Sequence, residues 1–126
     1  MDASRSLFAG ALLCGTGVAL GALAAHALKS SLSAYSMAAF ETGVRYQLVH
    51  GLALLACSAL ESRRRTGLAA LAFLLGTLLF SGSLYVLALS GPKEFGPVTP
   101  VGGVLLIAGW IILLLQNLPR RAAQAA

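Results

Sequence analysis

Six side chains that can ionise or form hydrogen bonds lie in the first half of an otherwise apolar stretch, residues 41–60. They are Glu41, Thr42, Arg45, Tyr46, Gln47 and His50. A charge at the centre of a bilayer costs about 2.5–3.5 kcal/mol on insertion scales, so such groups in a membrane helix mark either a functional site or a structural contact. This stretch therefore holds the first candidates for function.

Helical spacing divides these side chains between two faces. Glu41 and Arg45 are four residues apart, the spacing of an ion pair along a helix, and we expect them to pair at the outer membrane interface. Tyr46, Gln47 and His50 point the other way, toward small residues typical of a bundle interior. The pattern predicts an interfacial ion pair and a separate, buried polar group.

Hydroxyl groups on a later apolar run extend this buried group. Counted from the turn between the two runs, His50 and Ser81 lie at depths that match within ~3 Å, so we expect them to meet across antiparallel neighbours. We expect Tyr46 to lie inside the bundle beside Tyr85, and His26 to close the outer end. The predicted polar or ligand-binding cluster is His26, Tyr46, Gln47, His50, Ser81, Ser83 and Tyr85.

Several kinds of catalytic site are disfavoured. A bis-histidine haem needs both imidazoles at one depth, whereas His26 lies near a helix end and His50 lies ~13 Å of helix rise below Glu41. No Cys/His group has zinc spacing, and no paired carboxylates lie within the apolar runs. Cys14 and Cys57 are expected to pack as small hydrophobic residues. The sequence predicts no catalytic residue, no metal and no cofactor.

The elements that carry these residues are four apolar runs. The chain has 126 residues, 58% of them hydrophobic and 10% charged, with a mean hydropathy of +0.85. A helix of about 20 apolar residues crosses a bilayer. The runs are 7–28, 43–60, 68–90 and 100–118. They predict an all-α integral membrane protein, a compact bundle of four transmembrane helices forming one domain over residues 1–126.

Glycine spacing predicts where these helices pack. Gly17 and Gly21 are four residues apart and share a face with Gly10, which lets two backbones approach closely. Gly102 and Gly109 repeat at seven residues in the fourth run. We expect all five glycines at helix contacts.

Two helix starts can be placed from capping residues. Ser33 can cap a helix that starts ahead of the second apolar run and continues to residue 60. Thr99 followed by Pro100 is a favourable start for the fourth helix, with proline at the first helical position.

Basic residues predict the orientation in the membrane. Six lie on one side of the four runs and three on the other. The two sets are Arg5, Arg63, Arg64, Arg65, Arg120 and Arg121, against Lys29, Arg45 and Lys93. Cytoplasmic loops carry the excess of basic residues, so both termini and the 61–66 turn are predicted to be cytoplasmic. The charge forms no single stripe, so nucleic-acid binding is not expected.

Four motifs resemble a known family. They are GALAAHAL at 21–28, ETGVRYQLVH at 41–50, FSGSLY at 80–85 and TPVGG at 99–103. The chain resembles domain-of-unknown-function family 423, small bacterial inner-membrane proteins to which animal transmembrane protein 256 is similar. The resemblance implies a multi-pass inner-membrane protein of four helices, with no established molecular activity and no catalytic residues to transfer.

Three classes of function stay open. The first is a structural or accessory protein, not an enzyme, that binds lipid, another membrane protein or a second copy. Its polar residues would then be interhelical hydrogen bonds, each worth about 0.6 kcal/mol. The second is a small oligomeric carrier, channel or ligand-binding protein that uses the polar cluster. The third is a redox protein or other enzyme based on the two histidines. We take the first as the prediction.

Overall fold

The computed structural model describes residues 1–61, 65–90 and 97–118, and all regular secondary structure in these ranges is helical. The helices are α1 (Ala3–Leu23), which continues into a π-helical segment (Ala24–Leu28), α2 (Ala34–Leu60), α3 (Gly67–Ser90) and α4 (Val98–Gln116). The segments Ala3–Leu28, Gly67–Ser90 and Val98–Gln116 are long and apolar enough to cross a membrane. Helix α2 is not among these segments. With 27 residues it is long enough, but the polar side chains of 41–50 lower its mean hydropathy.

Each helix runs antiparallel to the next. Gly10 faces Gly51 while Gly17 faces Leu48, so residue numbers rise along α1 as they fall along α2. The same reversal relates α2 to α3 and α3 to α4. One end of the row, the basal end, therefore carries the start of α1, the α2–α3 connection and the end of α4. The distal end carries the π-helical segment and the starts of α2 and α4.

The helices form a row rather than the compact bundle expected from the sequence. Helix α1 packs on α2, α2 on α3 and α3 on α4, with a smaller contact between α1 and α3. Because α2 and α4 lie on either side of α3 with little direct contact, a groove separates them. The row does not close on itself, because α1 and α4 make no comparable contact in the described ranges.

Hydrogen bonds tie the basal end together. The Met1 amine donates to the Gly67 carbonyl at 3.0 Å, and the Ser58 hydroxyl donates to the Ala3 carbonyl at 2.7 Å. The Thr66 hydroxyl donates to the Cys57 carbonyl at 2.9 Å. These bonds place the start of α1 beside the α2–α3 connection, as alternating helices require.

Two apolar clusters fill the helix contacts. The basal cluster is built on Leu54, Ala69 and Phe73, and it includes the fully buried Cys57. The distal cluster is built on Phe40. Both cysteines are free thiols in packed positions.

Capping explains where the helices begin. The Ser33 side chain accepts from the Ser36 amide at 3.1 Å, which confirms the predicted start of α2. Helix α1 begins earlier than the apolar run, because the Asp2 carboxylate accepts from the Arg5 amide. The prediction for α4 is wrong by two residues: the helix starts at Val98 without a side-chain cap. Proline is tolerated inside this first turn, where backbone N–H groups have no intrahelical partner.

Candidate functional site

The glycines of α1 lie against α2. A Cβ atom at Gly10 would lie 2.8 Å from the Gly51 carbonyl oxygen, and one at Gly17 would lie 2.8 Å from a Leu48 methyl carbon. Gly21 is less crowded, since its Cβ would lie 3.5 Å from a Val44 methyl carbon. The α1–α2 contact is therefore tightest at its basal half.

The glycines of α4 lie against α3. A Cβ at Gly102 would meet the backbone of Phe80, and one at Gly109 would lie 2.6 Å from the Phe73 ring. Gly76 of α3 was not among the predicted contact glycines. A Cβ atom there would lie 2.7 Å from a Leu106 methyl carbon. At each of these glycines two helix axes come close together, at about the depth of the polar side chains described next.

Gln47 joins three helices. Its Nε2 donates to the Leu13 carbonyl and to the Thr16 hydroxyl, both at 2.9 Å, and its Oε1 accepts from the Tyr85 hydroxyl at 2.7 Å. Two amide hydrogens are thus used, and the carbonyl oxygen has a strong donor. Of this group the sequence predicted Gln47 and Tyr85, while the partners on α1 were not expected.

His50 joins α2 to α4 instead of meeting Ser81. Its ring is 3% exposed; Nδ1 lies 2.8 Å from the Tyr46 carbonyl, and Nε2 lies 3.1 Å from the indole nitrogen of Trp110. A carbonyl can only accept and an indole N–H can only donate, so the ring is neutral with its proton on Nδ1. The α3 side of the imidazole faces Phe73, with ring centroids 5.6 Å apart. The predicted Ser81 contact is wrong because an aromatic side chain occupies that side.

The remaining members of the predicted cluster are scattered. Tyr46 is 41% exposed and packs on Phe80 with centroids 4.6 Å apart, so its predicted interior position is wrong. Ser83 lies 2.6 Å from the hydroxyl of Thr99, the residue expected to cap α4. Ser81 is buried and its hydroxyl has no partner among the described residues. His26 is exposed in the π-helical segment, away from the others.

The predicted ion pair between Glu41 and Arg45 does not form. Both side chains are exposed, and the ion pair found within the described ranges is Arg5 with Asp2, at 3.3 Å. An exposed pair gains little because ordering two long side chains costs conformational entropy. Arg45 instead lines the groove between α2 and α4.

The α2/α4 groove is the concave feature that contains Arg45 and His50. Its volume is about 550 Å³, and α3 forms its floor through Phe80. The lining residues are Arg45, Tyr46, Val49, His50, Phe80, Gly103, Leu106, Ile107 and Trp110. Trp110, which no motif in the sequence pointed to, contributes a side chain that is 45% exposed. The groove is apolar with one cationic group, Arg45.

A second groove lies between α1 and α3, near the basal end. It measures about 640 Å³ and is lined mainly by aliphatic side chains and Phe8. Its cation, Arg5, is already paired with Asp2. The described residues contain no group of three or more His, Cys, Asp or Glu side chains placed to hold a metal ion.

Comparison with known proteins assigns the chain to a family. The sequence model of the family described as "Protein of unknown function (DUF423)" matches residues 20–103. The UPF0382 inner membrane protein YgdD of Escherichia coli K12 is 45% identical over 102 residues, covering 78% of this chain and 77% of its own. A UPF0382 membrane protein of Staphylococcus haemolyticus is 39% identical over 110 residues, covering 86% and 90%.

A third relative, the UPF0382 membrane protein of Haemophilus influenzae, is 45% identical over 98 residues, covering 76% of this chain and 79% of its own. No solved structure matches. The relatives' names describe membrane location and no activity. The resemblance in the four motifs is therefore confirmed: the chain belongs to the DUF423 family and is a multi-pass protein of the bacterial inner membrane.

Proposed function

We propose that the protein is a single-domain, four-span accessory protein, not an enzyme, that holds a membrane lipid in the α2/α4 groove. The observation that carries this proposal is the groove itself: an apolar, aromatic-lined cleft that opens at the surface between two helices of a membrane protein. Lipid acyl chains fill such surfaces in a bilayer. Another membrane protein or a second copy remains an outcome that the test below can reveal.

The fourth span is supported by the packing of α2. This helix lies between α1 and α3 and runs antiparallel to both. Since both neighbours are long and apolar enough to cross and the connections are short, this packing favours a crossing by α2 as well. The polar cost is reduced because Gln47 and His50 are buried and hydrogen-bonded.

A carrier or channel fits the polar groups less well. A site for a polar solute needs hydrogen-bonding capacity that the protein does not use itself. The two Gln47 donors, the Gln47 carbonyl oxygen and both His50 nitrogens already have protein partners. These bonds make Gln47 and His50 structural links between helices, which favours the accessory function.

The proposal is tested by filling the groove. A Cβ atom at Gly103 would lie 3.7 Å from two Phe80 ring carbons, so the backbone accepts a side chain there, and a leucine would project into the groove. Gly15 offers the matched control, because a Cβ there meets nothing within 4 Å. Native mass spectrometry of protein purified from its membranes in mild detergent counts the retained phospholipids.

We expect the wild type and Gly15→Leu to retain the same phospholipid, and Gly103→Leu to lose it while unfolding at a similar temperature. Retention of the same lipid by all three proteins would overturn the proposal. So would a wild type that carries no lipid, or one that carries a second copy or another membrane protein in its place.

A further inference from the structure

We infer that the α2/α4 groove selects a phospholipid with an anionic headgroup, with Arg45 against the phosphate and an acyl chain along Tyr46, Phe80 and Trp110. This inference rests on the proposed lipid binding and adds the chemical class of the headgroup and its end of the membrane. Three observations carry it: the charge of the groove, the depth of that charge and the aromatic wall below it.

Charge is the first observation. Arg45 is the one ionised side chain among the residues that line the groove, where it accompanies mostly aromatic and aliphatic side chains. It is exposed, and it forms no ion pair with an acidic side chain in the described ranges. A guanidinium binds phosphate oxygens through two parallel N–H donors, which gives both charge complementarity and orientation.

Depth is the second observation. The centre of the apolar segment Ala3–Leu28 lies just before Gly17, which packs on Leu48. The matching level on α2 is therefore near Val49, and Arg45 lies ~6 Å toward the distal end. The hydrocarbon half-thickness is about 15 Å, and long basic side chains extend toward the headgroups. Arg45 thus lies on the distal side of the bilayer centre, and its side chain extends toward the distal headgroups and not toward the basal ones.

The aromatic wall is the third observation. Below Arg45 the groove continues past Tyr46 and Phe80, whose ring centroids are 4.6 Å apart, to Trp110 beside Phe73 at 4.8 Å. From the level of Arg45 to that of His50 this wall extends ~8 Å along the helix. A cation at the headgroup end and an apolar wall toward the bilayer centre match the two parts of one phospholipid.

Trp110 makes the inference directly testable, since it is the single tryptophan of the chain and lines the groove. Phospholipids brominated in the acyl chain quench tryptophan fluorescence on contact. The protein is reconstituted in phosphatidylcholine vesicles that contain brominated phosphatidylglycerol or brominated phosphatidylcholine. The ratio of quenching gives the relative affinity for the anionic headgroup.

We expect the wild type to prefer phosphatidylglycerol about fivefold, the ratio that one basic residue facing anionic lipid provides. Arg45→Gln should bring the ratio to one, and Arg45→Lys should retain most of it, because both lipids carry a phosphate and the preference follows the net charge of the headgroup, which lysine still attracts. Lys29→Gln is the control, because Lys29 is exposed at the distal end but does not line the groove. It should behave as the wild type does.

The two proposals fail in different ways. Equal quenching by the two lipids, combined with loss of phospholipid from Gly103→Leu, would overturn the headgroup inference and leave lipid binding in place. A Lys29→Gln variant that loses the preference as Arg45→Gln does would also overturn it, because the selectivity would then be a property of the whole distal surface. Retention of lipid by Gly103→Leu would remove the proposed function and this inference together.

Discussion

The indole N–H of Trp110 donates to Nε2 of His50 over 3.1 Å, which links α4 to α2 across the floor formed by α3. Few other contacts join α2 directly to α4, and this bond closes the α2/α4 groove at its basal end. Nδ1 carries the proton and donates it in a hydrogen bond to the Tyr46 carbonyl. Nε2 is therefore unprotonated and accepts from Trp110.

Removing this donor should destabilise the protein. Trp110→Phe keeps a ring beside Phe73 but leaves Nε2 of His50 buried without a partner, which costs about 1–3 kcal/mol. Thermal unfolding in detergent measures the loss. In the double variant with His50→Leu the losses should be less than additive by about 0.5–3 kcal/mol. Strict additivity would mean that the bond contributes nothing.

Gln47→Leu should be among the most damaging changes in α2. It removes three hydrogen bonds and leaves the Tyr85 hydroxyl without its acceptor, so we expect a loss of at least ~1–3 kcal/mol in the free energy of unfolding. Thr42→Val is the control, since the Thr42 hydroxyl bonds to its own helix at the Ala38 carbonyl. A similar loss in both variants would contradict the role assigned to Gln47.

Substitution of the α1 glycines should give a graded series. Gly17→Ala places a methyl group where only 2.8 Å is free and should lower the melting temperature, with overpacking of about 1–3 kcal/mol. Gly21→Ala makes an ordinary contact near the end of α1, where helix propensity counts for less, so it should raise stability less than a change in mid-helix does. Gly15→Ala, in open space, should raise stability by ~1 kcal/mol through helix propensity. Any other order of the three melting temperatures would contradict the described α1–α2 contact.

Orientation in the membrane is checked with single cysteines in a Cys14→Ala, Cys57→Ala background. With the basal end in the cytoplasm, Ser4→Cys should resist an impermeant thiol reagent in intact cells and Ser31→Cys should react. Both positions are exposed, so access to the reagent decides the result. The reverse pattern would place the arginine-rich 61–66 connection outside, against the charge rule.

Local signals predicted the helices and their tight faces, whereas the partners of polar side chains could not be predicted. The cap at Ser33 and the face formed by the glycine repeats can be recognised because both are set by residues a few positions apart in sequence. The partner of His50 depends on how α4 crosses α3; Gly102 and Gly109 indicate which face of α4 meets a neighbour, but not that Trp110 then lies beside α2. Thr99 is similar: a cap and an interhelical bond to Ser83 are both available to it, and only packing distinguishes them.

The row arrangement also has a consequence for biogenesis. Each helix contacts mainly the one made just before it, so the α1–α2 hairpin can assemble as soon as its second helix leaves the ribosome. At that stage Gln47 can already donate to Leu13 and Thr16 of α1. The donor to its carbonyl oxygen, Tyr85, is made later. The bond from Met1 to Gly67 needs the first residue of α3, so it can form only after the residues of the α1–α2 hairpin have been made.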